Sequence, residues 1–364
     1  EIRPYAGNKW GGKYLRAPDI FFTILEKGSG KLVRLGDIAE VRRGFTTGAN
    51  EFFYLEPVGR TVKEVAELRE KNPKTPVHVR NGAGWEGEIE AAWLRPVIKS
   101  PREIQTLRVR LEDLRYLVFM PPEDVREAID RGQKPQLSRY PKAAAYIGWG
   151  EKKGYPGRPT CAGRTPWWDV GEQEPQNIIV LRFRDQRNWT PLVEAAVCVG
   201  DVVFVGRYYE SLYAPLLDAL LNSTLHIFTT EIFGRVNLGE GLLTTYGPEI
   251  GEFLSLHPSV LSRQQQYALI TFLQDLSRRP IRSIFEELGF SLCRARRCDH
   301  PEHPYEHVKP ETLTLEQVRA ASPDRFELDR VVFDVLGLTD EERLEVYRAV
   351  AQLVKDRLVK ARSV

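Results

Sequence analysis

The stretch "NIIVLRFRD" spans residues 177–185. Its middle is apolar, and Leu181 and Phe183 alternate with Arg182 and Arg184, the period of a strand with one buried face. This reading predicts that the opposite face carries two guanidiniums. Working outward, "EFFYL" (51–55), "YLVFMP" (116–121) and "DVVFVG" (201–206) also read as strands, and Pro121 and Pro122 stop the second. "LVRLGDIAEVRRG" (32–44) spaces Leu32, Leu35, Ile38 and Val41 by threes, which predicts a short amphipathic turn feeding a strand. The period changes in "APLLDALLNSTLHIFTTEIFG" (214–234), where Leu216, Leu217, Leu220, Leu221 and Leu225 recur at helical spacing. Beyond residue 251 helical patterns dominate. "SRQQQYALITFLQDLSRR" begins at a serine cap. "PDRFELDRVVFDVLG" puts Pro323 near a first turn and Gly337 past the end. Thr339 and Glu342 then form a capping box. The expected fold class is α+β. A connector is expected over 1–30, a mixed α/β domain over 31–250, and a helical region over 251–364.

Composition narrows the class. The chain has 364 residues, of which 42% are hydrophobic and 28% charged, enough for a substantial core under a charged surface. No run of about 18 apolar residues is present, so no transmembrane helix is expected. The opening "EIRPYAGNKWGG" is not a secretory signal, and it lacks an initiator methionine, which predicts a missing N-terminal portion. Four cysteines do not make a disulfide scaffold, so the expected compartment is a reducing cytoplasm. The net charge of +2 says little by itself, but its distribution says more. Between Arg131 and Trp168 eight basic residues face one acid, Glu151, a net of +7, and tyrosines and tryptophans are interleaved among them. That is the footprint of a nucleic-acid surface, or of a solvated basic face with aromatics tucked beneath it.

Catalytic motifs are missing. There is no GxxxxGK[ST], no GxGxxG after a strand, no GxSxG elbow and no evident pair of catalytic carboxylates. The one inorganic candidate is "LCRARRCDHPEHPYEH", where Cys293, Cys298, His300 and His303 offer thiolate and imidazole ligands to a structural zinc, with His307 close by. The spacing is unusual, and a Pro/His-rich surface turn is the plain alternative. "GRPTCAGRTPWW" sets Arg158 and Arg164, whose forks suit guanine edges or phosphate, beside Trp167 and Trp168, one of which would face outward. The expected outward ring is Trp168. "GRVNLGEG" offers Arg235 and Asn237 on a glycine-rich loop, where simple turn geometry is the alternative.

Five stretches then fall in one order: "LGDIAEVRRGFTTGANEFFYL", "WLRPVIKSP", "GRTPWWDV", "LLNSTLHIFTTEIFGRVNLGEGLL" and "PDRFELDRVVFDVLGLTDEERLEVYRAV". This order resembles the C-terminal target-recognition half of adenine-N6-specific DNA methyltransferases, the TaqI-like enzymes of restriction–modification systems and relatives of type I specificity subunits. The resemblance implies binding to double-stranded DNA and a partner methyltransferase catalytic domain, upstream in the same chain or on a separate subunit, but no membrane. It also implies S-adenosylmethionine as methyl donor of the parent enzyme. The chain departs from the family pattern in lacking both the glycine-rich donor loop and the Asn-Pro-Pro-aromatic signature. "FMPPED" (119–124) has the two prolines without the Asn before or the aromatic after. The resemblance therefore implies a specificity part without its own catalytic residues. In that setting "RRGFTTGAN" (42–50) looks like a DNA-facing loop. Arg42 and Arg43 supply charge, Thr46, Thr47 and Asn50 supply short hydrogen-bonding groups, and Gly44 and Gly48 permit close approach of a phosphate. The other readings left open are an ordinary β-turn for this loop and a zinc-centred metalloenzyme for the whole.

Overall fold

The computed structural model describes residues 16–171, 173, 178–193, 197–201, 203–236, 241–291, 305 and 307–360. Helices and mixed sheets coexist, with helices dominating the C-terminal part, so the class is α+β. Two compact units divide the chain. One joins residues 1–41, 181–190 and 207–364, and the other joins 42–180 and 191–206. The sequence boundaries at 30 and 250 therefore do not coincide with the compact units. Chain segments far apart in sequence share one core, which local patterning cannot register.

The 42–206 unit contains a six-stranded sheet in the order Cys198–Val199, Leu94–Ile98, Tyr116–Phe119, Tyr54–Pro57, Pro76–Asn81 and Glu86–Glu90. Its pairings are antiparallel except at one edge, where Cys198 lies beside Val97 in parallel. Leu55, Leu94, Val97, Leu117 and Phe119 are fully buried in it. "EFFYL" is not a strand throughout: Asn50–Phe53 forms a helical turn and the strand starts at Tyr54. Phe52 and Phe53 are both fully buried there. A strand would turn one of two consecutive side chains away from the core. A five-stranded sheet runs in the order Ala39–Arg43, Val203–Tyr208, Ile178–Leu181, Leu192–Val193 and Arg108–Val109.

In the other unit, Leu32–Arg34 pairs antiparallel with Leu254–Leu256, and Phe183–Arg184 with Leu243–Thr244. The remainder is helical. Arg263–Leu276 packs on Pro323–Leu336 and on Ala214–Leu220, and Thr224–Phe233 packs on Asp340–Lys360. The run 214–234 is two helices, because Ser223 turns out of helical conformation and caps the second through His226 N–H. The other helix-end signals operate as read. Ser262 caps Arg263–Leu276, Gly337 closes Pro323–Leu336 at φ +72°, and Thr339 N–H donates to Glu342 at 2.7 Å.

This helical unit buries an ionic network. Glu287 accepts from Arg279 (2.7 Å) and Arg325 (3.0 Å), and Arg325 also donates to the Asn222 carbonyl at 2.9 Å. Burial alone would raise the Glu287 carboxyl, but Arg325, Arg279 and Arg282 override it and hold it down to about 2. Glu231 accepts two bonds from Arg357, at 2.9 and 3.0 Å, and Arg357 donates also to the Gly241 carbonyl at 2.6 Å. Asp329 accepts from Thr224 N–H at 2.6 Å and from Tyr347 at 3.1 Å, tying three helices together.

Candidate nucleic-acid interface

The loop after Arg43 is built from the backbone outward. Gly44 and Phe45 donate to the carbonyls of Val203 and Val199, both at 3.2 Å, so the loop is stitched to the neighbouring strands before it turns. A Cβ on Gly44 would collide with the carbonyl oxygens of Val199 and Gly200, and Gly48, at φ +75°, packs on Thr160. Both glycines thus serve close packing inside the protein. Thr47 is buried, and its hydroxyl donates to Asn50 Oδ1 while accepting from Ala49 N–H at 3.2 Å. It shapes the loop and is not part of its surface. Arg42, Arg43, Thr46 and Asn50 are exposed. Arg43 pairs with Asp201 at 2.8 Å.

Arg164 is half-buried and holds this loop from behind. It donates to the Thr47 carbonyl at 2.8 Å and to the Thr46 carbonyl, and it lies 5.9 Å from the centre of the Phe53 ring. Burial pulls its guanidinium below the ordinary arginine value. Arg158 pairs with Glu51 and lies 4.5 Å over the Tyr155 ring. The hydrogen bond from Arg158 holds the Glu51 carboxyl below the usual carboxylate range. The loop's far end is pinned by Tyr146, whose hydroxyl donates to the Phe52 carbonyl at 2.6 Å and accepts from Asn81 at 2.9 Å, with its ring stacked on Phe52 at 4.5 Å. Tyr146 belongs to the helix Pro141–Lys152, and the buried Glu90 carboxylate caps that helix by accepting from the Lys142 and Ala143 amides at 2.9 and 2.8 Å.

The basic, aromatic stretch 131–168 resolves into the plainer of its two readings for its rings. Tyr140, Tyr146, Tyr155 and Trp168 are buried, and the charges lie outside them. Trp168 packs edge-on against Trp93 at 5.4 Å, so it is not a stacking platform. The outer ring of the pair is Trp167, half-buried and tilted on Phe52 at 4.9 Å. Several of the charges are neutralised locally, Arg131 by Glu127, Arg139 by Asp124 and Lys142 by Glu88. Lys152 and Lys153 are exposed at the end of the helix and pair with no carboxylate among the described residues.

In the other unit Arg182 and Arg235 flank the exposed Tyr246 ring at 5.3 and 4.8 Å, and Arg235 donates to Glu249 at 2.7 Å. Arg184 is not the surface partner of Arg182 that strict alternation predicts. The chain leaves the Ile178–Leu181 strand, bends at Arg182 and enters a separate pairing, so the in–out phase resets and Arg184 is only 1% exposed. Asn237 and the zinc set Cys293, Cys298, His300 and His303 lie outside the described residues. Among the described residues no group of three His, Cys, Asp or Glu could hold a metal, and no helix is long and apolar enough to cross a membrane.

Sequence missed the clamp role of Arg164 and the contributions of Glu51 and Glu90. Each acts across more than five residues in the chain, and the Glu90 cap spans 52, so spacing carries no trace of them.

Residues 123–286 match the family model for the C-terminal domain of the type II methyltransferase M.Eco57I. This stretch is thus placed with the C-terminal domains of restriction–modification methyltransferases. No curated protein sequence matches the chain. Among solved structures, the type IIG restriction endonuclease BpuSI aligns with 96% of the chain at TM-score 0.51 and 12% identity, a likeness of fold. The type IIL restriction–modification enzyme MmeI, solved in complex with DNA, aligns with 86% at TM-score 0.40 and 14% identity. The chain spans about a third of each of these enzymes, 34% and 36%.

Proposed function

We propose that this chain supplies double-stranded DNA target recognition to an S-adenosylmethionine-dependent adenine-N6 methyltransferase of a restriction–modification system, acting in a prokaryotic cytoplasm. The observation that carries the reading is the 42–50 loop. Four polar side chains, Arg42, Arg43, Thr46 and Asn50, project from a backbone held by strand bonds, two packed glycines and the Arg164 clamp. Pre-organised hydrogen-bonding groups lose little freedom on binding, and short polar groups beside guanidiniums suit base edges next to phosphates. Arg158, Lys152 and Lys153 extend positive charge in the same unit. Arg182 and Arg235 offer a second pair of cations beside an exposed ring. The domain match supports the restriction–modification setting.

The Pro121–Pro122 pair does not fit the Asn-Pro-Pro-aromatic signature. Pro121 and Pro122 are both buried, and they end a strand and open the helix Glu123–Asp130 without holding a side-chain amide toward a base. Methyl transfer belongs to a catalytic domain elsewhere in the parent chain or on a partner, and the target adenine flips into that domain's pocket.

The experiment is selection of random-sequence duplexes by this chain at two salt concentrations, followed by sequencing of what binds. Enrichment of one short motif, with affinity falling steeply in salt, is the expected result. Salt-dependent binding without enrichment places specificity jointly with the catalytic half. No binding at either salt ends the DNA-recognition reading.

A further inference from the structure

Glu51 is an acid at the edge of the polar 42–50 loop. It follows Asn50 directly in the short helical turn Asn50–Phe53, and its carboxylate pairs with the guanidinium of Arg158. The two side chains are 35% and 40% exposed, so both stay within reach of a ligand. Stability does not explain this placement, because an exposed ion pair contributes little. Phosphate binding does not explain it either, because a carboxylate repels the DNA backbone.

Both partners are held from below. Phe52 and Phe53, the residues after Glu51, are fully buried, and the Phe52 carbonyl accepts from the Tyr146 hydroxyl at 2.6 Å. Arg158 lies 4.5 Å over the buried Tyr155 ring. Its N–H donates to the Tyr155 carbonyl at 3.1 Å, and its own carbonyl accepts from Ala162 N–H at 2.8 Å. The backbone under each side chain is therefore fixed while the charged ends meet water. The hydrogen bond from Arg158 keeps Glu51 ionised, so the acid only accepts and the guanidinium only donates.

Those two roles match the two halves of one base pair. In the major groove guanine presents two neighbouring acceptors, O6 and N7, which an arginine fork meets, and cytosine presents the N4 amino donor, which a carboxylate accepts. In an adenine–thymine pair the amino donor sits between two acceptors, so the fork finds no adjacent pair of them. Cytosine N4 and guanine O6 are bonded to each other, so an acid and a guanidinium that already touch reach both without parting. We propose that Glu51 and Arg158 together read one C·G base pair of the DNA target, Glu51 accepting from cytosine N4 and Arg158 donating to guanine O6 and N7. This assignment rests on the DNA-recognition reading and adds a base identity to it. In the free protein each charge satisfies the other, so neither waits unpaired for DNA.

The test repeats the duplex selection with the full chain as wild type, Glu51→Ala, Arg158→Ala and Glu51→Gln. The wild-type motif should contain a C·G pair at which both alanine variants lose roughly 10- to 100-fold of discrimination, with the other positions unchanged. Glu51→Gln keeps the size of the side chain and should turn the preference there toward adenine, because an amide both donates and accepts. It also serves as the test if an alanine variant does not fold. A wild-type motif that survives unaltered in the variants, or weakens equally at every position, overturns the assignment and leaves DNA recognition by the chain standing. A wild-type chain that enriches no motif removes base reading by this chain altogether, the Glu51–Arg158 assignment included.

Discussion

Arginine serves two opposite ends in this molecule. In the helical unit Arg325 and Arg357 are interior residues, with side chains 5% and 3% exposed, each gripping a buried glutamate. In the 42–206 unit Arg42, Arg43 and Arg158 stand at the surface, Arg43 and Arg158 each with one acidic partner within reach of water, and Arg164 lies between the two extremes. The residue is the same and the sequence signals are alike. What separates them is whether the surrounding segments bring a carboxylate to meet the guanidinium out of water. Interior pairs cost much to break because the survivor is left charged and dry, whereas surface pairs cost little because water replaces the partner.

The comparison breaks most readily at Glu287. Glu287→Ala should destabilise the helical unit by about 3–5 kcal/mol, since Arg325 and Arg279 lose their shared carboxylate. Denaturant unfolding checks this, and a loss below about 1 kcal/mol would mean that the network is solvated after all.

The same carboxyl gives a pH test. Its folded pKa lies near 2, below the unfolded value of 4.5, so its stabilisation is fully present above about pH 4.5 and fades as pH falls toward 2. About 3 kcal/mol should vanish over that window in the wild type. Glu287→Gln should flatten this part of the curve, and an unchanged slope would place the acid sensitivity elsewhere.

Arg164→Met sits in between. Losing its bonds to the Thr46 and Thr47 carbonyls should cost about 1–2 kcal/mol and speed amide exchange across 44–50. If exchange there stays slow, the glycine packing alone holds the loop. The smallest stability effect belongs to Arg42→Ala and Arg43→Ala, each within about 0.5 kcal/mol. Under the DNA-recognition reading, each contact with a phosphate should also lower the salt dependence of duplex binding by about one unit of slope. An unaltered slope in both would remove these arginines from the interface.

Legibility followed locality. The caps at Ser262, Thr339 and Gly337 and the helical C-terminal region were readable because each signal and its effect lie within a turn or two. Arg184 and Trp168 were misplaced because outward alternation assumes one continuous strand, and a bend at Arg182 or a facing Trp93 undoes it. The 42–50 loop was legible as polar and glycine-hinged. The use of its glycines was not, because Val199, Gly200 and Thr160 lie more than a hundred residues away.

The helical unit is assembled from three stretches of chain, with 42–180 and 191–206 inserted between them. That arrangement sets an order of synthesis. All of the 42–206 unit has been made once residue 206 is polymerised, whereas Glu231 meets Arg357 only when the helix Asp340–Lys360 emerges. At ordinary translation rates the interval is roughly 10–30 s. During that time the nascent chain carries a finished insert on an unfinished host, with Glu231 and Asp329 still in water and the apolar faces of the earlier helices uncovered. The Glu231–Arg357 pair therefore waits on the helix Asp340–Lys360, and ribosome-bound chains halted before Arg357 should be protected from protease in the insert ahead of the helices that this helix covers.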